Sequence, residues 1–135
     1  MIHVIMGLKG SGKTKKLVDS VNAAAATAHG VVVCIEYGNK LTYDVKSSVR
    51  LVNSKEYGIS NSCMLTGFLS GLHAGNYDIT HVYIDNLYKT IGNDRAAGEE
   101  FILWCAQFAK ANDMEITVTV SDDPALASEE VKKYL

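Results

Sequence analysis

The sequence predicts an α/β domain: three layers, α/β/α, built on a mostly parallel sheet of about five strands. Three observations predict it. Short apolar runs rich in β-branched residues alternate with stretches of helical period. Val31-Val32-Val33-Cys34-Ile35 is an unbroken apolar run, as expected for a strand covered on both faces. A glycine-rich turn, Gly7 to Gly12, separates the first apolar run from the first helical stretch. The 135 residues suit one domain around one core.

Each element has its own signal. Strand one is expected over Ile2–Met6. The first helix starts near Lys13 and carries Leu17, Val21, Ala24 and Ala28 on one side, with His29 near its end and Gly30 as a stop. Strand two is Val31–Ile35. Residues 38–60 support two readings. Leu41, Val45, Val49 and Val52 have helical spacing, whereas Val49-Arg50-Leu51-Val52 reads as a strand after a loop or short turn, which is the reading adopted. Asn61 or Ser62 caps a helix running to about Ala74, with Met64, Leu65, Phe68, Leu69 and Leu72 as its apolar face. Gly67 and Gly71 lie four apart on it, a spacing that permits close backbone packing, and Gly75 ends it. Strand four is His81–Asp85, followed by a polar, glycine-containing loop from Asn86 to Gly98. Glu99–Asn112 reads as a helix with Phe101, Ile102, Cys105, Phe108 and Ala109 inward. Its acidic start and Lys110 near its end complement the helix dipole. Strand five is Glu115–Val120. Asp122-Asp123-Pro124 breaks the chain, and Ser128 caps a short closing helix.

Composition excludes several classes. The net charge of −2 provides no global attraction to nucleic acid or anionic membrane. No apolar run approaches the length needed to span a bilayer. The N-terminal run leads directly into the glycine turn, so it is not expected to be a removable leader. Cys34, Cys63 and Cys105 are far apart, with no CxxC pair, and are expected to be buried and reduced rather than zinc ligands. The histidines (His3, His29, His73 and His81) form no metal-binding spacing.

Gly7-Leu8-Lys9-Gly10-Ser11-Gly12-Lys13-Thr14 fits the pattern G-x-x-x-x-G-K-[ST] at every fixed position, between a strand and a helix. The chemistry accounts for the residue types. Glycines let the chain turn its N–H groups inward toward phosphate oxygens. The following helix adds the positive end of its dipole. Lys13 is expected to reach the β- and γ-phosphates, and the Thr14 hydroxyl to ligate Mg²⁺. Leu8, Lys9, Ser11 and Lys15 complete the expected phosphate-binding set. The chain thus resembles the P-loop NTPase superfamily, which implies ATP or a related nucleoside triphosphate as ligand, Mg²⁺ as metal and a cytoplasmic location.

Val82-Tyr83-Ile84-Asp85 is an apolar strand ending in an acid, the setting expected for a second Mg²⁺-side residue beside Thr14. Asn86 follows it. Many P-loop ATPases carry there a Glu that activates water, and an amide takes up no proton. Glu36, directly after strand two, is the expected substitute, because the carboxyl ends of parallel strands face the ligand crevice. At Gly7–Thr14, Glu36 and Asp85 the chain resembles the RecA-like branch, whose catalytic Glu ends the strand after the P-loop helix. It also resembles short bacterial P-loop ATP-binding proteins of unassigned role. Thymidine kinases are similar in their short core and early P-loop, but Asn86 replaces their Glu and the cysteines of a zinc-binding lasso are absent. Thr119 or Ser121, at the end of strand five, is a γ-phosphate sensor in that reading. Arg50 and Arg95, the chain's two arginines, are candidate fingers, in cis or from a neighbouring copy. Arg95 is expected to be mobile, and the 86–98 loop to order on nucleotide binding and display Tyr88, Lys89 and Arg95 to a protein partner. Asn39-Lys40-Leu41-Thr42 lacks the Asp of a guanine-binding NKxD and comes too early, which favours ATP. Three functions follow: a slow Mg²⁺-dependent ATPase driving a loop or partner change, a small-molecule kinase, and a nucleotide-binding regulator without turnover.

Overall fold

Five strands form one sheet in the order β1-β5-β4-β2-β3 in the computed structural model, which describes residues 1–135. They are β1 (Ile2–Gly7), β2 (Val31–Glu36), β3 (Arg50–Asn53), β4 (Ile79–Ile84) and β5 (Glu115–Ser121). Every pairing is parallel, so all five carboxyl ends open on the same edge. Helix α1 (Lys13–Thr27) carries the chain from β1 to β2, past the positions of β5 and β4. α2 (Ser62–Gly75), α3 (Leu87–Ile91) and α4 (Arg95–Ala111) then return it through β4 to β5, and α5 (Glu129–Lys132) closes the chain. No helix is long and apolar enough to cross a membrane.

The two faces of the sheet bury different sets. On one, Leu17, Val21 and Ala24 of α1 pack with Val32 and Cys34 of β2 and Tyr83 of β4. On the other, Leu65 and Leu69 of α2 and Phe101, Ile102 and Cys105 of α4 pack with Val33, Ile35, Val82, Ile84, Ile116 and Val118. Alternate residues of β2 thus go to opposite cores, which is why its sequence is apolar without interruption. The result is the three-layer α/β/α domain that the alternation of elements predicted.

Residues 37–49, ambiguous in sequence, are tied down from three directions. Glu36 accepts N–H bonds from Lys40 and Leu41 at 3.1 and 2.8 Å. Asn53 accepts from Gly38, and the Asn22 side chain bonds both the Asp44 carbonyl and the Lys46 amide. Leu41 and Val49 are buried against α1. The strand reading holds and the helical one does not. β3 runs Arg50–Asn53, one residue later than expected.

Four expectations are corrected. The 86–98 segment is not a loop: α3 buries Leu87, Thr90 and Ile91 with helical spacing, and α4 begins at Arg95, capped by Asp94. On α2, Leu65 and Leu69 are buried and Phe68 and Leu72 pack against the core as expected, but Met64 and Cys63 are exposed. An added Cβ at Gly67 or Gly71 would meet no atom within 4 Å, so these glycines mediate no close packing. Gly30 does not stop α1, which already ends at Thr27. Instead, a Cβ at Gly30 would lie 2.3 Å from the Asp78 carbonyl oxygen and 2.4 Å from the Thr80 methyl, so glycine is needed where β2 starts alongside β4.

Gly30→Ala is therefore expected to destabilise the fold by about 1–3 kcal/mol through overpacking against backbone. Urea unfolding checks this, and an unchanged midpoint would contradict the close approach.

Candidate functional site

The glycine-rich segment leaves β1 at Gly7 and enters α1 at Lys13. Gly10 and Gly12 have φ of 84° and 85°, the left-handed region that residues with a Cβ rarely adopt. Space above both is open, since an added Cβ would meet nothing within 4 Å. At Gly7 the reverse holds: a Cβ there would press on the Ser11 side chain at 2.5 Å. The Ser11 amide donates to the Leu8 carbonyl, closing the turn. Gly12 is the N-cap of α1, no side chain caps that end, and its first turn carries no acid. The turn thus leads into the positive end of a helix of 15 residues that has no acid in its own first turn. Lys13 is buried along its length, and its Nζ donates to the Leu8 carbonyl at 3.1 Å. Leu8 and Lys9 are exposed, and Lys15 pairs with Asp19 one turn along α1.

Asp85 reaches the same place from β4. The Thr14 hydroxyl lies 3.3 and 3.5 Å from its two carboxylate oxygens. β5 lies between β1 and β4 and supplies the link. Thr119, fully buried, donates its hydroxyl to Asp85 Oδ1 at 3.0 Å and accepts the Asn86 amide at 2.7 Å. Asn86 itself has φ of 55° and is the N-cap of α3. Thr119, read from sequence as a phosphate sensor, is thus a brace for the carboxylate and for the turn that follows it.

Glu36 comes to the same cleft, whose walls are Thr14, Glu36, Tyr37, Lys40, Asp85 and Lys89. It is buried, with each carboxylate oxygen engaged by one backbone N–H. Its first role is therefore to hold the turn after β2, leaving one lone pair per oxygen for other partners. Cys34 lies beneath these acids. Burial, reinforced by Asp85 and Glu36, pushes its thiol up to about 12, so it is an inert packing group.

A second cluster fixes the back of the glycine segment. The Asp122 amide donates to the Gly7 carbonyl at 3.1 Å. The Asp122 carboxylate receives Arg95 Nε at 2.8 Å, Arg95 Nη2 at 2.9 Å and the Tyr88 hydroxyl at 2.9 Å. Gly98 allows this arrangement, because a Cβ there would lie 2.8 Å from the Tyr88 ring. Arg95 is thus held in a bidentate ion pair rather than mobile, and it is not poised as a finger. Arg50 is exposed on β3, at the edge of the sheet. The Arg95 guanidinium holds the Asp122 carboxyl well below the usual carboxylate range. Burial and the bond to Asp122 push the Tyr88 phenol up to about 12.

The structure therefore brings together Gly7–Thr14, Asp85 and Glu36, pairs Lys15 with Asp19 and Arg95 with Asp122, and leaves Arg50 exposed at the sheet edge. The chain matches no protein-family model and no curated protein. Sequence reasoning missed the parts played by Tyr88 and Asp122. The apolar spacing of Leu87, Thr90 and Ile91 was a usable signal for α3, whereas nothing local announces the pairing of Arg95 with Asp122.

Two pH effects follow. Asp122 has a lowered folded pKa, so its contribution to stability is present above its unfolded value of about 3.9 and fades as pH falls below it. The stability gap between wild type and Asp122→Asn is expected to narrow below about pH 4 in urea unfolding. Tyr88 has a raised folded pKa, so its contribution is complete below about pH 10 and is lost as pH rises toward 12. In an ultraviolet titration, the phenolate signal absent from Tyr88→Phe should emerge only near pH 12 in the wild type; emergence near 10 would show the cluster to be open.

Proposed function

We propose that this chain is a P-loop nucleotide-binding protein that holds Mg²⁺-ATP in the cytoplasm and hydrolyses it slowly, coupling the γ-phosphate to a shift of α3 or a partner. The carrying observation is the approach of the Thr14 hydroxyl to the Asp85 carboxylate beside an uncapped helix end and an open glycine turn. Those residues fit the ligands in kind. The backbone from Gly10 to Thr14 and the α1 dipole suit the phosphates. Lys13, now on the Leu8 carbonyl, has phosphate oxygens as stronger acceptors within its reach. No group of three or more His, Cys, Asp or Glu side chains forms a preformed cage, which suits a metal taken up through one carboxylate, one hydroxyl, water and substrate oxygens. Thr14 and Asp85 would hold Mg²⁺, which neutralises charge on the β- and γ-phosphate oxygens.

The chain's own residues then set the rate. Hydrolysis breaks the bond between the γ-phosphorus and the bridging oxygen while water supplies the new oxygen. Asn86 offers no basic atom. Glu36 faces the cleft, but both its oxygens already serve the turn, so it orients a water or takes its proton only through the remaining lone pairs. This supports slow turnover in the isolated protein. It also favours a second reading, phosphotransfer to an added acceptor.

Calorimetry with Mg²⁺-ATP tests the main reading. Lys13→Ala is expected to weaken binding by about tenfold to a hundredfold, the effect of losing a charge-assisted bond of about 1.5–3 kcal/mol. Asp85→Asn should abolish the gain in affinity that Mg²⁺ provides while leaving metal-free binding nearly intact. Wild-type protein that fails to bind Mg²⁺-ATP, or equal binding by Lys13→Ala, would sink the reading.

Glu36→Gln separates support from chemistry. Its NH₂ would face a backbone N–H in a buried position, at a cost of about 1–3 kcal/mol. Lowered stability with residual phosphate release marks Glu36 as structural. Release abolished at a temperature where the variant is fully folded marks it as the base.

A further inference from the structure

A second cleft adjoins the one that holds Thr14 and Asp85. It has a volume of about 340 Å³, and its walls include Tyr37, Lys55, Ser60, Lys89 and Thr90. Tyr37 and Lys89 line both clefts, so the two adjoin along these side chains. The second contains no Asp or Glu, and neither Lys55 nor Lys89 has a carboxylate within ion-pair distance. Its two lysines are therefore free of direct ion pairs and face a cleft without acids, in a chain whose net charge is −2.

The lysines stand on fixed elements. Lys55 lies in the short helix Ser54–Tyr57, its amide donates to Asn53 Oδ1, and its Nζ sits 5.9 Å from the centre of the Tyr37 ring. Lys89 is on α3, three residues beyond Asn86, with Leu87 and Thr90 buried beside it. Ser54 and Thr90 are both buried, and their hydroxyls meet at 3.4 Å, joining the two lysine-bearing elements under the cleft floor. The neighbouring cleft carries both signs, with Glu36 and Asp85 beside Lys40 and Lys89. A phosphate is favoured on the side that has lysines and no acids, so a molecule lying across both would be oriented by charge.

We propose that the Lys55–Lys89 cleft is a binding site for a small phosphomonoester, with its phosphate between the two lysines and its uncharged hydroxyl end directed along Tyr37 toward Thr14 and Asp85. The volume is within the range of small-ligand sites. The acceptor role rests on the nucleotide-binding reading above; the anion site does not. In that role the acceptor oxygen bonds to the γ-phosphorus, the bond to the bridging oxygen breaks, ADP leaves, and the hydroxyl proton passes to a free lone pair of Glu36 or to solvent.

The test titrates ribose 5-phosphate, with ribose as the uncharged control, into wild type, Lys13→Ala and Lys55→Ala/Lys89→Ala, read by calorimetry and by amide chemical shifts. Saturable binding is expected in wild type and in Lys13→Ala, with shifts at Tyr37, Ser60 and Thr90. The double lysine variant should lose about tenfold or more in affinity while keeping its melting temperature, and Lys55→Ala alone, whose side chain is not among the walls of the Thr14–Asp85 cleft, should keep its Mg²⁺-ATP affinity. Ribose should not bind. No binding in wild type, loss in Lys13→Ala with retention in the double variant, or equal binding of ribose would each overturn the site. Ribose 5-phosphate binding without any Mg²⁺-ATP binding would sink the nucleotide reading and the acceptor role while leaving the anion site standing. Both ligands bound, but no ADP formed when they are present together, would overturn the acceptor role alone.

Discussion

The bond between Thr14 and Asp85 joins elements that are neighbours neither in sequence nor in the sheet. β5 separates β1 from β4; α1 carries Thr14 across to Asp85, and the Thr119 hydroxyl from β5 braces the carboxylate where they meet. The parallel sheet makes that meeting possible. With both faces buried, its strands cannot expose polar groups along their length, and hydrogen-bonding chemistry collects at the carboxyl edge. Gly7, Ser121, Asp85, Glu36 and Asn53 all lie at that edge or one residue beyond it.

The edge is held by side chains that bond to backbone. Glu36 secures the turn after β2, Asn53 secures Gly38, Thr119 secures the Asn86 amide, and Asp122 reaches Gly7 through its own amide. Such bonds leave few buried polar groups unpaired where the chain is irregular. They also restrict what each acid can do. Asp85 is oriented and still reachable from the cleft, whereas Glu36 is largely spent on its own turn.

Arg95, Asp122 and Tyr88 extend the arrangement behind the glycine turn, joining the first turns of α3 and α4 to the end of β5. Any shift of α3 that follows occupation of the cleft would be felt at this cluster, because Tyr88 and Lys89 are adjacent on one short helix. The proposed nucleotide site and the proposed anion site share that helix as a wall, which gives a physical route between them.

Much of this was legible in the sequence. β1, β2, β4 and β5, the helices α1, α2 and α4, and the glycine turn follow from periodicity and caps, which depend on neighbours within a few residues. Asp85 and Glu36 were legible as acids at strand ends. Where reading failed, the deciding partner lay far along the chain. Gly30 is explained by Asp78 and Thr80, Arg95 by Asp122, and residues 37–49 by Asn22 and Asn53. The sequence by itself determined most of the segments that become strands and helices and the place of the glycine turn, because those depend on local dihedral preference and alternating polarity. Only the tertiary structure decided the strand order, the brace from Thr119 to Asp85, the commitment of Glu36 to its turn and the placing of Lys55 and Lys89 on one cleft, because each needs groups brought together by burial of the sheet rather than by their positions along the chain.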